Sequence, residues 1–307
     1  MLTPELIKQI APNARDEYVK SLTSDAGWAT LARYKIADKL EPLAGFLATC
    51  AHETAGFKYL RELLNYTPQG LRRAWPNRFG SKSDAELVPL CRSEKALAAA
   101  VYNGRMGNRP GTDDGYNFRG AGYLQITGRD NFVKYGKLVG IDFATDPPPS
   151  TDDTDALLVM AAALWAAGRC NELCEGGNFA GACAVINVGN AALVSKVLNM
   201  DDREKWFRRI MKEFGKYENV LEPPAPPDGA GAAPTNGAGA TPTGATRSFG
   251  TRSVLQPRAV QPQDEGHWYD AVTRWFRSSD DDTPAAILHP DRFGSGDPNF
   301  RHFTDSD

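Results

Sequence analysis

Histidine is scarce in this sequence: four in 307 residues, of which only His52 falls before residue 222. That scarcity decides the stretch "CAHETAGF", 50–57. A second histidine three residues after Glu53 would complete H-E-x-x-H, two zinc ligands one helical turn apart with a glutamate base between them. Gly56 holds that place, so no such zinc site is expected. Cysteine is also sparse. Cys50, Cys91, Cys170, Cys174 and Cys183 form an odd set without paired spacing, so no disulfide framework is expected and the thiols are read as buried and reduced. Cys170, Cys174 and Cys183 offer three sulfurs where structural zinc takes a full tetrahedral set. No apolar run approaches the ~20 residues of a membrane span, which argues against membrane insertion. Lys and Arg are scattered and never blocked together, which argues against a nucleic-acid partner. The first twenty residues carry charges and prolines where an export signal needs an apolar run, so synthesis in the cytoplasm is the expectation.

What is present divides the chain in three. Residues 1–221 have the mix of apolar and charged residues that a folded domain needs. Residues 222–246 read "EPPAPPDGAGAAPTNGAGATPTGAT", a Pro/Gly/Ala-rich stretch with no face to bury, hence a flexible linker. Residues 247–307 form an acidic tail in which "HWYDAVTRWF", 267–276, alone has an amphipathic pattern. Charge follows the same division: residues 1–222 carry 28 Lys/Arg against 27 Asp/Glu, whereas the rest carries 7 against 11. Between Gly56 and Lys137, 14 basic residues face 7 acidic ones, a local excess suited to an anionic polymer.

Helical signals run through the first domain. Thr3 is placed to cap a helix with Pro4 in its first turn, and Asp38 to cap another in which Leu40, Leu43, Leu47 and Cys50 recur at helical steps. Further helices are predicted at 84–102, 130–139, 154–167 and 193–217, the strand signal being limited to one small hairpin between 104 and 126. Trp75, Trp165 and Trp206 are expected in the core. On one continuous helix Glu53 and Glu62 would stand about two and a half turns, ~13.5 Å, apart and face opposite ways. A helix end at Ala55-Gly56 would let "FKYLRELLNY" fold back and aim Glu62 toward Glu53, with Arg61 and Arg72 as candidate neighbours. Two carboxyl groups so placed suit glycoside hydrolysis, one protonating the leaving oxygen and the other activating water.

The segments "AHETAGF", "RELLNYTPQGLRRAWPNRF", "YNGRMGN", "YNFRGAGYLQITGRDNFVKYG" and "AVINVGN" occur in that order. Together they resemble glycoside hydrolase family 19, in particular its phage endolysin and bacterial cell-wall branch, over residues 2–217. The resemblance implies a mainly α, two-lobed lysozyme-like domain with the substrate between the lobes, an inverting mechanism and no metal or cofactor. It makes Glu53 the general acid, Glu62 the general base and Thr127 the hydroxyl that holds the attacking water. Gln125, Asn131 and Asn187 would contact sugar, and Tyr66, Tyr102 and Tyr123 would line the cleft. Two positions depart from the family pattern: Leu63, where "ENLNY" has asparagine, and Val188, where "ING-G" has glycine. The expected substrate is a β-1,4-linked polymer of N-acetylated amino sugars, peptidoglycan ahead of chitin, with a chitinase, a delivered antibacterial toxin and an inactive sugar-binding module as alternatives. A monomer is expected, released to the wall by a pore or secretion machine, its tail open to an inhibitor, immunity or delivery protein.

Overall fold

The computed structural model describes residues 2–144, 153–217 and 219–222. Apart from Glu222, the linker at 222–246 and the 247–307 tail with its expected helix lie outside them. The regular elements of the described residues are helices, joined by turns and loops. Four helices open it: α1 (Pro4–Ile10), α2 (Asp16–Thr23), α3 (Asp25–Arg33) and α4 (Leu40–Glu53). A group of shorter ones follows, α5 (Pro68–Ala74), α6 (Pro76–Phe79), α7 (Asp84–Cys91), α8 (Glu94–Tyr102) and α9 (Asp114–Asn117). The chain then forms α10 (Arg129–Val139), α11 (Thr154–Ala167), α12 (Cys170–Glu175), α13 (Phe179–Val188) and α14 (Met200–Phe214).

These elements bury two separate cores, one per lobe. The larger gathers α1 to α4 and α10 to α14 around Phe46, Phe132, Trp165 and Phe214. The smaller holds Leu71, Trp75, Phe79, Leu97 and Tyr102 from α5 to α8. Trp165 is fully buried at the centre of the first, edge-on to Phe46 at 5.7 Å, and its indole N–H donates to Asn171 Oδ1 at 2.9 Å. That bond meets the polar end of a side chain whose apolar area supplies most of the stabilisation. Trp75 is buried as expected, whereas Trp206 is only partly covered and lies over Gly56.

Several boundaries differ from the sequence expectation. Thr3 caps α1, accepting from Leu6 N–H at 3.2 Å. Lys39, extended at φ −143°, is the residue before α4, and Asp38 instead closes a short 3-10 turn, Ile36–Asp38. The helix expected at 84–102 is two, because the Ser93 hydroxyl accepts from Ala96 N–H and starts a new helix. The one expected at 193–217 becomes a 3-10 turn, Val194–Lys196, followed by α14. The hairpin reduces to isolated bridges, Ala121 with Ile126 and Arg61 with Ala121. The second bridge ties the two points where the chain passes between lobes: Gly122 N–H donates to Leu60 O at 2.7 Å and Glu62 N–H to Gly120 O at 2.8 Å.

Candidate active site

Glu53 is the last residue of α4, and the helix stops there for local reasons. The Thr54 hydroxyl donates back to Cys50 O at 2.6 Å and accepts from Phe57 N–H at 2.9 Å. Ala55, Gly56 and Phe57 then take φ of 52°, 71° and 58°. Left-handed backbone at a non-glycine residue costs on the order of 1–2 kcal/mol, so the reversal is held by its surroundings; Phe57 O, for example, accepts from Arg15 N–H. Two successive residues at this helix end meet two successive residues at the start of α14. Arg203 Nη2 lies 2.6 Å from Glu53 Oε1, both side chains being buried. His52 Nδ1 lies 2.6 Å from Asp202 Oδ2. Burial opposes the charge on Asp202, but the hydrogen bond from His52 together with the nearby charges, Arg203 and Lys205 among them, outweighs it and holds the carboxyl below its ordinary range. Behind them, burial pushes the Cys183 thiol up to about 11, and it also raises Cys170 and Cys174. These are protonated, inert thiols.

Glu62 belongs to the segment that crosses between lobes. Glu62, Leu64 and Tyr66 are buried while Leu63 and Asn65 are exposed, the alternation of an extended chain. Both of its carboxyl oxygens accept hydrogen bonds, Oε1 from the Tyr102 hydroxyl at 2.7 Å and Oε2 from Gly120 N–H at 3.1 Å. Its own carbonyl accepts from Arg119 Nε at 3.2 Å. The carboxylate is thus gripped at both ends and at its backbone, which fixes its direction. Arg72 is not among its partners, because that guanidinium binds Lys82 O and the Asp84 carboxylate. Arg61 reaches Asn117 O.

The "LQIT" turn and the start of α10 form one hydrogen-bonded unit. Gln125, left-handed at φ 50°, donates through Nε2 to Gly122 O at 3.1 Å. The Thr127 hydroxyl donates to Gln125 O at 3.1 Å, and Asn131 Nδ2 to Thr127 O at 2.7 Å. Asn187, near the end of α13, accepts from Leu198 N–H at 3.2 Å, while Arg203 Nε donates to Leu198 O. Val188 is an ordinary helical residue; the left-handed position is Gly189, at φ 76°. Tyr66 packs in the smaller core, 5.1 Å from Trp75. Tyr123 lies fully in the larger core beside Phe57, its hydroxyl donating to Tyr18 O, so it is a packing residue rather than part of a cleft. Arg203 carried no signal in the sequence reading, since it stands 150 residues from its partner Glu53, and Arg119 was read only as part of a motif, with no role of its own.

A helical chain of two lobes with one buried carboxyl group at a helix end and a second on the segment joining the lobes has the makings of a carboxylate glycosidase. No protein-family model matches the chain. It is 31% identical over 169 residues, 55% of its length, to a glycosyl hydrolase family 19 domain-containing protein of Haemophilus influenzae, and covers 78% of that protein. The chain belongs to glycoside hydrolase family 19. Chitinase C from Streptomyces griseus HUT6037 is similar to it at a TM-score of 0.42 and 20% identity, over 70% of this chain and 92% of the chitinase.

Proposed function

We propose that the chain hydrolyses β-1,4 bonds between N-acetylated amino sugars of bacterial peptidoglycan, with inversion at the anomeric carbon. The observation that carries this is the pair of buried glutamates with different partners: Glu53 paired with Arg203, Glu62 held by Tyr102 and Gly120. In the proposed reaction Glu53, ion-paired with Arg203 in the free enzyme, is protonated in the substrate complex and gives that proton to the leaving glycosidic oxygen. Glu62 takes one from a water that attacks the opposite face of the sugar, and Thr127 orients that water. Gln125, Asn131 and Asn187 would bear on the sugars bound beside them. The excess of basic residues between Gly56 and Lys137, a span that covers the whole smaller lobe, favours an anionic wall over uncharged chitin.

The test is digestion of purified peptidoglycan and of chitin oligomers side by side, with mass analysis of the fragments. Release from chitin alone would overturn the wall assignment, and release from neither would leave a sugar-binding protein. Early-time NMR of a β-linked substrate should show the α-anomer first. Glu53→Gln should abolish turnover, and Glu62→Gln should cost about 10² to 10⁴ in rate. Thr127→Ala should cost less than either, because it removes no proton-transfer group. A chelator should leave turnover unchanged, His52 being engaged with Asp202.

A further inference from the structure

The motif "YNGRMGN" contributed to the family resemblance, yet its last residue has no part in the reaction as proposed. Asn108 is almost wholly buried, and its carboxamide spans two elements. Nδ2 donates to Tyr102 O at 3.0 Å, and Oδ1 accepts from Arg129 N–H at 2.9 Å. Tyr102 is the residue whose hydroxyl holds Glu62 Oε1. Arg129 is the first residue of α10, two places beyond Thr127, and its N–H is one of the helix-start donors that no intrahelical carbonyl can meet. The next such donor, Asp130 N–H, goes to Met106 O at 3.0 Å. Gly128, before the helix, offers no side-chain cap, so the 106–108 loop caps α10 from outside.

The seam between loop and helix is closed on both sides by glycine. A Cβ on Gly128 would sit 2.5 Å from Met106 Cβ, and one on Gly107 would collide with the Asp130 carboxylate. Such a contact leaves no room for the loop to slide along the helix start.

We infer that Asn108 is a positioning residue for the hydrolytic step: one buried carboxamide sets the spacing between the Glu62 carboxylate, through Tyr102, and the Thr127 hydroxyl, through the start of α10. This rests on the reading of Glu62 as base and Thr127 as the group orienting water. A base and a water-orienting hydroxyl work only at matched distances, and misplacement of reacting groups by about 1 Å can cost on the order of 10²-fold. Substrate binding has no such dependence on Asn108, which is buried and bonded to backbone groups.

The experiment is a kinetic cycle on the full chain, with peptidoglycan or N-acetylglucosamine hexamer, whichever the wild type cleaves. Asn108→Asp keeps the acceptor for Arg129 N–H but sets a carboxylate oxygen against Tyr102 O. It should lower kcat about 10- to 100-fold with KM within about twofold of wild type. Because the effect passes through Tyr102, the double variant Asn108→Asp/Tyr102→Phe should be no slower than the slower single variant. Unchanged kcat, a change in KM alone, or additive losses in the cycle would overturn the inference. Glu62→Gln is run alongside: full activity there removes the base assignment itself, whereas an inactive Glu62→Gln beside wild-type Asn108 variants removes only the role of Asn108. If Asn108→Asp does not fold by circular dichroism, Arg129→Pro against Arg129→Ala carries the question. Proline is accepted at a first helical position and takes away the N–H that Asn108 binds, so the proline variant should be the slower of the two. Equal kcat would overturn the inference.

Discussion

Arg203 and Glu53 are buried together, and a buried ion pair responds asymmetrically to the loss of one partner. Each charge left water on folding, and the attraction between them offsets that cost only while both are present. Arg203→Met should therefore destabilise the chain by about 3–5 kcal/mol in urea unfolding at neutral pH. Adding Glu53→Gln should restore much of that loss, since no uncompensated charge then remains in the interior. A double variant no more stable than Arg203→Met would show that Arg203 acts through its packing. Asp114, the first residue of α9, offers a contrasting case. Arg109 binds it through Nε and Nη2, both at 2.8 Å, and these bonds hold the carboxyl below its ordinary range despite burial. A folded-state value below the unfolded one means that the stability gained is full above the unfolded pKa and is lost as pH falls through the lower, folded one. Between about pH 5 and pH 2 the wild type should lose more thermal stability than Asp114→Asn, so that their Tm curves converge in acid. Parallel curves would exclude Asp114 as a source of acid sensitivity.

Some elements were legible from the sequence and others were not, and the difference is physical. The helix predicted at 154–167 is α11 to the residue, because the Asp153 carboxylate caps the N–H groups of Asp155 and Ala156 and an unbroken apolar run follows. Helix α13 gave no period to read, since "FAGACAVINV" is apolar on nearly every side and fills the interior, and α12 is only six residues long. The reversal after Glu53 was legible at Ala55-Gly56. The partners that hold the two glutamates were not legible. Arg203, Tyr102 and Gly120 come from remote elements, and only the packing of α4 on α14 and of 62 on 120 brings them in. The position of Glu53 therefore depends on how α4 is seated. At Gly45 a Cβ would lie 2.6 Å from Cys174 Sγ of α12 and 3.4 Å from the Trp165 ring. Gly45→Ala should cost about 1–3 kcal/mol through overpacking, and a Cys174→Ala background should relieve part of it. If the four-member unfolding series were additive, the contact would not be the cause.

At the largest scale the described residues form two cores, with the chain crossing between them where 60–62 bonds to 120–122, and the last of those residues return to the first. Tyr217 donates to Gln9 Oε1 at 2.8 Å, beside α1. Val220 is buried in the larger core and Leu221 packs against it. The folded unit thus includes residues beyond the end of α14, and the place where the chain is cut matters. A chain ending at Glu222 keeps every one of these contacts, and should match the full-length protein in Tm and in hydrolysis of isolated substrate. A chain ending at Tyr217 loses the Val220 side chain from the core, and fully burying a valine is worth about 1.5–3 kcal/mol. For a domain of this size that corresponds to a fall in Tm of roughly 3–10 °C. Hydrolysis should survive below the new transition, because neither glutamate touches the removed residues. Equal Tm for the two truncations would show that Val220 contributes nothing measurable. A drop already present in the chain ending at Glu222 would mean that the segment beyond it packs on the catalytic domain, and the assay would then locate that contact by which activity is lost with it.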